Sequence, residues 1–444
     1  MTRRHCRLWR QPMKTKTLIA TLWICMLQLA SAQTSAPLSD WLRWGIEKNP
    51  KLSAAREEVQ AARARGAMLR SEFNPKISLN GYISSGDMPM LFQSEAMPFN
   101  YSWQQGDSMS TANVTLMFPV LNFGRDTAAR KASQADTAAA GERLRTTELD
   151  VEVAVALRFA ESAAQLEIVR AYEASVANAE EVARISEEMF KVGKVPEAFV
   201  FRANADLAAA RRELAMERAK LEAVTARLLS SAARDLGEEA LPGDWDLEMA
   251  APPSLAEAVE RATALRPELA EMRTARLALL NRADLAGRGL LPKVSFMAMG
   301  DANWMDGGEE ESGSRIGLVM SIPVADGGER RSIAKELRSM ANRMEADYQS
   351  MVLEVRAEVS EAWAMWNASD AVLAAARAEV SASEEAYRVA LLRYTEGKSI
   401  LAELTDARAQ VASARRSAAE AVAYKRAAWA QLRRAIGMRL TPQS

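Results

Sequence analysis

Four segments of the chain alternate apolar with mostly polar residues, the two-residue period of a strand with unlike faces. In 76–84, Ile77, Leu79 and Ile83 alternate with Ser78, Asn80 and Tyr82. In 112–120, Val114, Leu116 and Phe118 alternate with Asn113, Thr115 and Met117. In 293–303, Val294, Phe296 and Ala298 alternate with Ser295, Met297, Met299 and Asp301. In 314–324, Ile316, Leu318, Met320 and Ile322 alternate with Gly317, Val319 and Ser321. About ten residues is the length that crosses a bilayer at a tilt, although a soluble half-buried sheet has the same period. Two other stretches predict very long helices. Residues 127–191 contain no proline and only Gly141, and at 1.5 Å per residue they would extend about 100 Å. Val151, Val155, Phe159, Leu166, Val169 and Tyr172 recur at three-, four- and seven-residue spacings, a narrow seam for a partner helix. Residues 332–395 repeat the pattern. A coiled-coil stalk would have the same composition.

The chain is one unit written twice. Residues 38–78 align with 255–295 at a constant offset of 217: Asn49-Pro50-Lys51-Leu52 falls on Arg266-Pro267-Glu268-Leu269, and Pro75-Lys76-Ile77-Ser78 on Pro292-Lys293-Val294-Ser295. Further along the offset becomes 204, matching Phe118-Pro119-Val120 with Ile322-Pro323-Val324, Gly193-Lys194 with Gly397-Lys398, and Arg211-Arg212 with Arg415-Arg416. Each copy reads as a helical stretch broken at Pro50 or Pro267, two strands, a long helix, a Gly-Lys turn and another long helix. The predicted organisation is a signal segment at 1–32 and a first repeat at 33–236 with long helices near 125–191 and 196–236. A Pro- and Gly-containing linker at 237–253 leads to a second repeat at 254–439 with helices near 328–395 and 400–436, and a tail at 440–444.

Charge and rare residues narrow the function. Residues 1–32 carry six of the 57 basic residues and none of the 58 acidic ones, so the remainder is acidic by seven, a poor match for nucleic acid. In that segment basic residues precede the apolar run 18–27, and Ala30-Ser31-Ala32 supplies small residues for cleavage before Gln33. This is the pattern of a secretory signal, with translation starting at Met1 or at Met13. Both cysteines, Cys6 and Cys25, and the single histidine, His5, lie there too. The rest of the chain has no disulfide, thiolate nucleophile, imidazole base or Cys/His metal site, and no cofactor or enzymatic activity is expected.

Four strands cannot close a barrel, for which about eight are the minimum, and lipid does not tolerate open sheet edges. If the strands cross a membrane, several copies must share one barrel. The ordered, duplicated set of motifs resembles the TolC-like outer-membrane efflux family, from Leu38 to about Arg439. The carriers are the Asn-Pro-Lys-Leu and Arg-Pro-Glu-Leu segments, the Phe-Pro-Val and Ile-Pro-Val strand ends, and the segment Tyr394-Thr395-Glu396-Gly397-Lys398-Ser399-Ile400-Leu401-Ala402-Glu403-Leu404.

The resemblance implies a mainly α chain with a small β part. It implies a homotrimer whose twelve-stranded barrel lies in outer-membrane lipid above a helical periplasmic tunnel. It also implies a passive export channel opened by a periplasmic adaptor (a membrane fusion protein) and energised by an inner-membrane RND or ABC pump. Gly193, Lys194, Gly397 and Lys398 would form the tips met by the adaptor. Tyr394, Glu403 and Asp406 would line the periplasmic aperture, with three copies of the two acids favouring cations. Three further features stand beside this. Met88, Met90 and Met97, with Met297 and Met299, offer soft thioethers suited to Cu(I), though methionine is common throughout the chain. Residues 306–311 hold four acids and two glycines, which could bind Ca²⁺ but also suit a solvated loop. A structural or adhesive coiled coil without a pore is the alternative function.

Overall fold

The computed structural model describes residues 34–85, 108–236, 240–252, 254–305 and 310–441. The expected signal segment, the loop methionines Met88, Met90 and Met97, and acidic-loop residues 306–309 lie outside them.

After β1 (Thr34–Ala36) come α1 (Leu38–Lys48) and α2 (Pro50–Ser71), then β2 (Lys76–Ser85) and β3 (Ser108–Leu121). Next are α3 (Arg125–Lys191) and α4 (Glu197–Ser231), followed by β4 (Ala240–Pro242). The second repeat supplies α5 (Leu255–Leu265), α6 (Pro267–Gly287), β5 (Lys293–Met305), β6 (Glu310–Ser321), α7 (Glu329–Thr395) and α8 (Leu401–Ile436). The break between α1 and α2 follows from Pro50, which forces Asn49 into extended backbone (φ −66°, ψ 123°). Asn49 then accepts the Lys51 N–H, and Pro50 occupies the first helical position, where its missing donor costs nothing. Arg266 repeats the geometry before Pro267 (φ −62°, ψ 121°).

β2, β3, β5 and β6 form one antiparallel sheet in chain order. Lys76 faces Met117, and its counterpart Lys293 faces Ser321, the counterpart of Met117, so the duplication holds to the residue in the backbone. The repeats are joined at β3–β5, where Thr115 faces Met299 and the register slips once between Pro119 and Leu121.

The two longest helices, α3 and α7, have 67 residues each, about 100 Å. α2 and α4 pack along one side of α3 in succession; α6 and α8 do the same between α3 and α7. At every level the helical part is therefore four helices side by side, with α3 inside and α7 at an edge. α3 buries 22 side chains and α7 only nine, although one is the repeat of the other. The buried positions Ala334, Ala341, Val355, Ala362, Ser369, Ala376 and Ala390 lie seven residues apart or at multiples of seven, the seam of a left-handed coil.

The largest core cluster lies midway along the helices: Leu38, Trp41, Leu42 and Leu52 meet Val155 and Phe159 of α3, Leu228 of α4 and Trp429 of α8. Two of the buried indole N–H groups find a carbonyl: Trp41 donates to Ala36 (3.2 Å) and Trp429 to Ala250 (3.0 Å). The inter-repeat segment does more than connect. Its β4 pairs in parallel with β1, and Trp245, Leu247 and Met249 pack on the same core. The end of the chain is also fastened. Glu152, fully buried on α3, accepts the Leu440 N–H (2.8 Å) and the Arg439 guanidinium (2.7 Å), and Leu440 itself is buried.

Candidate functional site

The sheet has its polarity inverted relative to a soluble protein. Ile77, Leu79, Ile83, Ile316 and Leu318 stand 70–81% exposed on one face. On the other face Thr111, Asn113, Thr115, Ser295, Asp301 and Asn303 are all at or below 9%. Among the described residues no helix packs across either face. The polar side chains therefore bury one another, as a sheet curled towards that face requires. Asn80 donates to Asn113 (3.1 Å) and Asn303 to Asp301 (3.3 Å), while Oδ1 of Asp301 is buried without a partner. Met297 and Met299 are on this polar face, with Met117 directly across from Met297. β2 and β6, the outermost strands, have no strand on their outer edges among the described residues.

At the far end of the helices are two matching turns. Gly193 (φ +73°) and Gly397 (φ +74°) each follow a 67-residue helix. The Gly193 N–H bonds the Phe190 carbonyl (2.9 Å) and the Lys194 N–H that of Met189 (2.9 Å). Gly397 and Lys398 repeat this with Tyr394 (2.9 Å) and Arg393 (2.8 Å). These bonds satisfy the last carbonyls of each helix, and a left-handed residue is required to make them, which selects glycine. Lys398 pairs with Glu396 (2.7 Å).

Tyr394 is buried within the chain. Its hydroxyl and that of Ser186, on α3, are 2.8 Å apart, and Ser186 in turn donates to the Val182 carbonyl. Val182, Met189, Ala203, Leu401 and Leu404 pack around it, with Val195 and Phe199 alongside, so one apolar cluster ties the two turns together. Glu403 and Asp406 are both exposed. Glu403 accepts from Ser399 (2.5 Å) and pairs with Arg393 (3.2 Å), so its charge is partly compensated. Asp406 has no such partner among the described residues. Sequence reasoning did not single out Ser186 or Arg393. It also missed the apolar decoration of the turns, where Val192 and Ile400 are more than 60% exposed.

Farther along the helices, Glu217 of α4 is nearly buried. It accepts from Gln165 of α3 (2.8 Å) and from Lys220 (2.9 Å), and pairs with Arg416 of α8, which also donates to the Tyr172 hydroxyl (2.8 Å). Burial pushes the Glu217 carboxyl up, but the hydrogen bonds from Lys220, Gln165 and Arg416 outweigh it and hold the carboxyl below its ordinary range.

Among the described residues no cluster of His, Cys, Asp or Glu suits a metal ion, and no helix is long and apolar enough to cross a membrane.

The family model described as outer membrane efflux protein matches residues 41–234 and 258–438. Solved structures share the fold. The outer membrane protein VceC of Vibrio cholerae has a TM-score of 0.74 at 16% identity, covering 91% of this chain and 97% of that one. The CmeC outer membrane channel of Campylobacter jejuni has 0.74 at 15%, covering 91% and 87%. The open state of the MtrE outer membrane channel of Neisseria gonorrhoeae has 0.64 at 20%, covering 91% and 89%. A search of the curated proteins finds no sequence match.

Proposed function

The chain belongs to the outer membrane efflux protein family, and on that premise we propose that three copies form a passive duct carrying cargo out of the periplasm. A periplasmic adaptor opens it and an inner-membrane pump energises it. Three four-stranded sheets make a twelve-stranded barrel, and at each level three sets of four helices make a twelve-helix tunnel below it. The observation that carries this reading is the inverted sheet. Its exposed apolar face suits lipid, its polar face suits a water-filled lumen, and its two open edges require neighbours in a bilayer. A coiled-coil stalk without a pore would leave that inversion without a use.

The turns at Gly193-Lys194 and Gly397-Lys398 are the surface the adaptor meets, and Glu403 and Asp406 border the periplasmic mouth. Because Arg393 compensates Glu403, Asp406 supplies more of the negative potential there. The test uses the purified protein in detergent and in a planar bilayer. The mass should be that of three chains, and the pore should prefer cations. Asp406→Asn should weaken that preference more than Glu403→Gln does. A single-chain mass would overturn the duct, and unchanged selectivity in the double variant would remove both acids from the mouth.

A further inference from the structure

The internal duplication specifies how one copy meets the next. We infer that β6 pairs antiparallel with β2 of the neighbouring copy in the register already used between β3 and β5, and that α7 seats on that neighbour as α3 seats on α8. The inference rests on the trimeric reading above and adds the residue-level contacts.

Within one chain the two repeats meet at the β3–β5 junction. There Val114 faces Gly300, Thr115 faces Met299 and Met117 faces Met297. The strand pair inside each repeat keeps the same register to the residue, so the repeat offsets map one junction onto the other. The counterpart of β3 is β6 and the counterpart of β5 is β2. Carried across, Leu318 faces Ile83, Val319 faces Tyr82 and Ser321 faces Asn80 of the next copy. This register keeps the faces continuous. Leu318 and Ile83, 70% and 81% exposed, join the apolar face, while Tyr82 and Asn80 join the polar one. A one-residue slip would put every side chain on the wrong face.

The helices give the same answer independently. Leu149 and Ile168 of α3 are both 4% exposed and border grooves shared with residues of α8. Their counterparts on α7, Leu353 and Val372, keep the apolar character but are 64% and 43% exposed. Across the groove from Ile168 is Glu420 of α8. Its counterpart on α4 is Met216, an apolar residue left 56% exposed. The edge of α7 and the edge of α4 thus carry the two halves of one contact, met only between copies.

Residues 34–444 contain no cysteine, so an introduced pair reports on itself. Within one chain β2 and β6 are separated by three strand spacings, about 14 Å, beyond the reach of a disulfide. The full-length protein, with Cys6→Ser and Cys25→Ser so that no native cysteine remains, is assembled in membranes with Ile83→Cys and one of Ile316→Cys, Leu318→Cys or Met320→Cys, then oxidised. Leu318→Cys should give dimer and trimer bands several-fold stronger than the other two. Those positions are diagonal neighbours about 7–8 Å away. The adjacent pair Tyr82→Cys with Val319→Cys should also cross-link, from the other face. A maximum at Ile316 or Met320, or a three-chain mass in detergent with no cross-link from any pair, would overturn this register while leaving the trimer intact. A single-chain mass for the unmodified protein would instead sink the assembly reading on which it rests.

Discussion

Placing an arginine on the apolar face of the sheet should separate a lipid-facing surface from one facing water. Leu79 is central in β2 and 75% exposed, and Ser78 beside it points to the opposite face. If the apolar face meets water, Leu79→Arg replaces an exposed apolar side chain and should change stability by no more than about 0.5 kcal/mol. If it meets lipid, the variant loses most of the burial of a leucine side chain, about 1.5–3 kcal/mol when complete, and gains a charge in hydrocarbon. Together these amount to about 2–4 kcal/mol per chain near the membrane midplane. That is a factor of about 30 to 900 in the folded-to-unfolded ratio, and three copies compound it. Ser78→Arg, on the polar face, should stay within about 0.5 kcal/mol. Both variants share whatever disturbance comes from altering an edge strand, so their difference isolates the face. The assay is urea titration of the trimer reconstituted in lipid vesicles, followed by electrophoretic mobility without heating. Equal midpoints for the two variants would show that the apolar face is not in lipid.

Two further outcomes are expected. Gly193→Ala or Gly397→Ala must adopt a left-handed backbone, at about 1–2 kcal/mol, but no atom lies within 4 Å of the added Cβ. Hydrogen exchange should quicken at the altered turn and nowhere else; loss of the trimer would place the turn in the assembly contacts. Glu217→Gln should cost about 3 kcal/mol per chain at neutral pH, because Arg416 loses its partner in a nearly buried site. The folded carboxyl is lowered, so its stabilisation is present above the ordinary glutamate value of about 4.3 and is lost as pH falls through the folded value. The gap in thermal midpoint between wild type and variant should therefore close in acid; a gap that persists unchanged in acid would assign the effect to packing.

The duplication, the strand-strand-long-helix order and the two unlike faces of the sheet could be read from sequence, because they depend on periods and offsets within a segment. A two-residue alternation fixes which side chains share a face whatever the sheet meets. Proline fixes a helix break locally, as at Asn49-Pro50. Position in the fold is another matter. Leu149 and Leu353 are the same residue at the same place in two repeats, yet one is covered and the other bare, because α3 has helices on both sides and α7 on one. The motif places Tyr394 near the aperture, and only the fold shows that its hydroxyl meets Ser186, 208 residues earlier in the chain, inside an apolar cluster. Glu403 carries its charge in the sequence; Arg393, ten residues away across a turn, partly cancels it. The proline-rich segment between the repeats read as a linker, and its Trp245 packs into the central core. Sequence by itself determined the elements and their faces, since these are set by backbone sterics and side-chain period. Only the tertiary structure decided which faces are covered and which charges are paired, since burial and Coulomb energy depend on neighbours that the chain brings together from far apart.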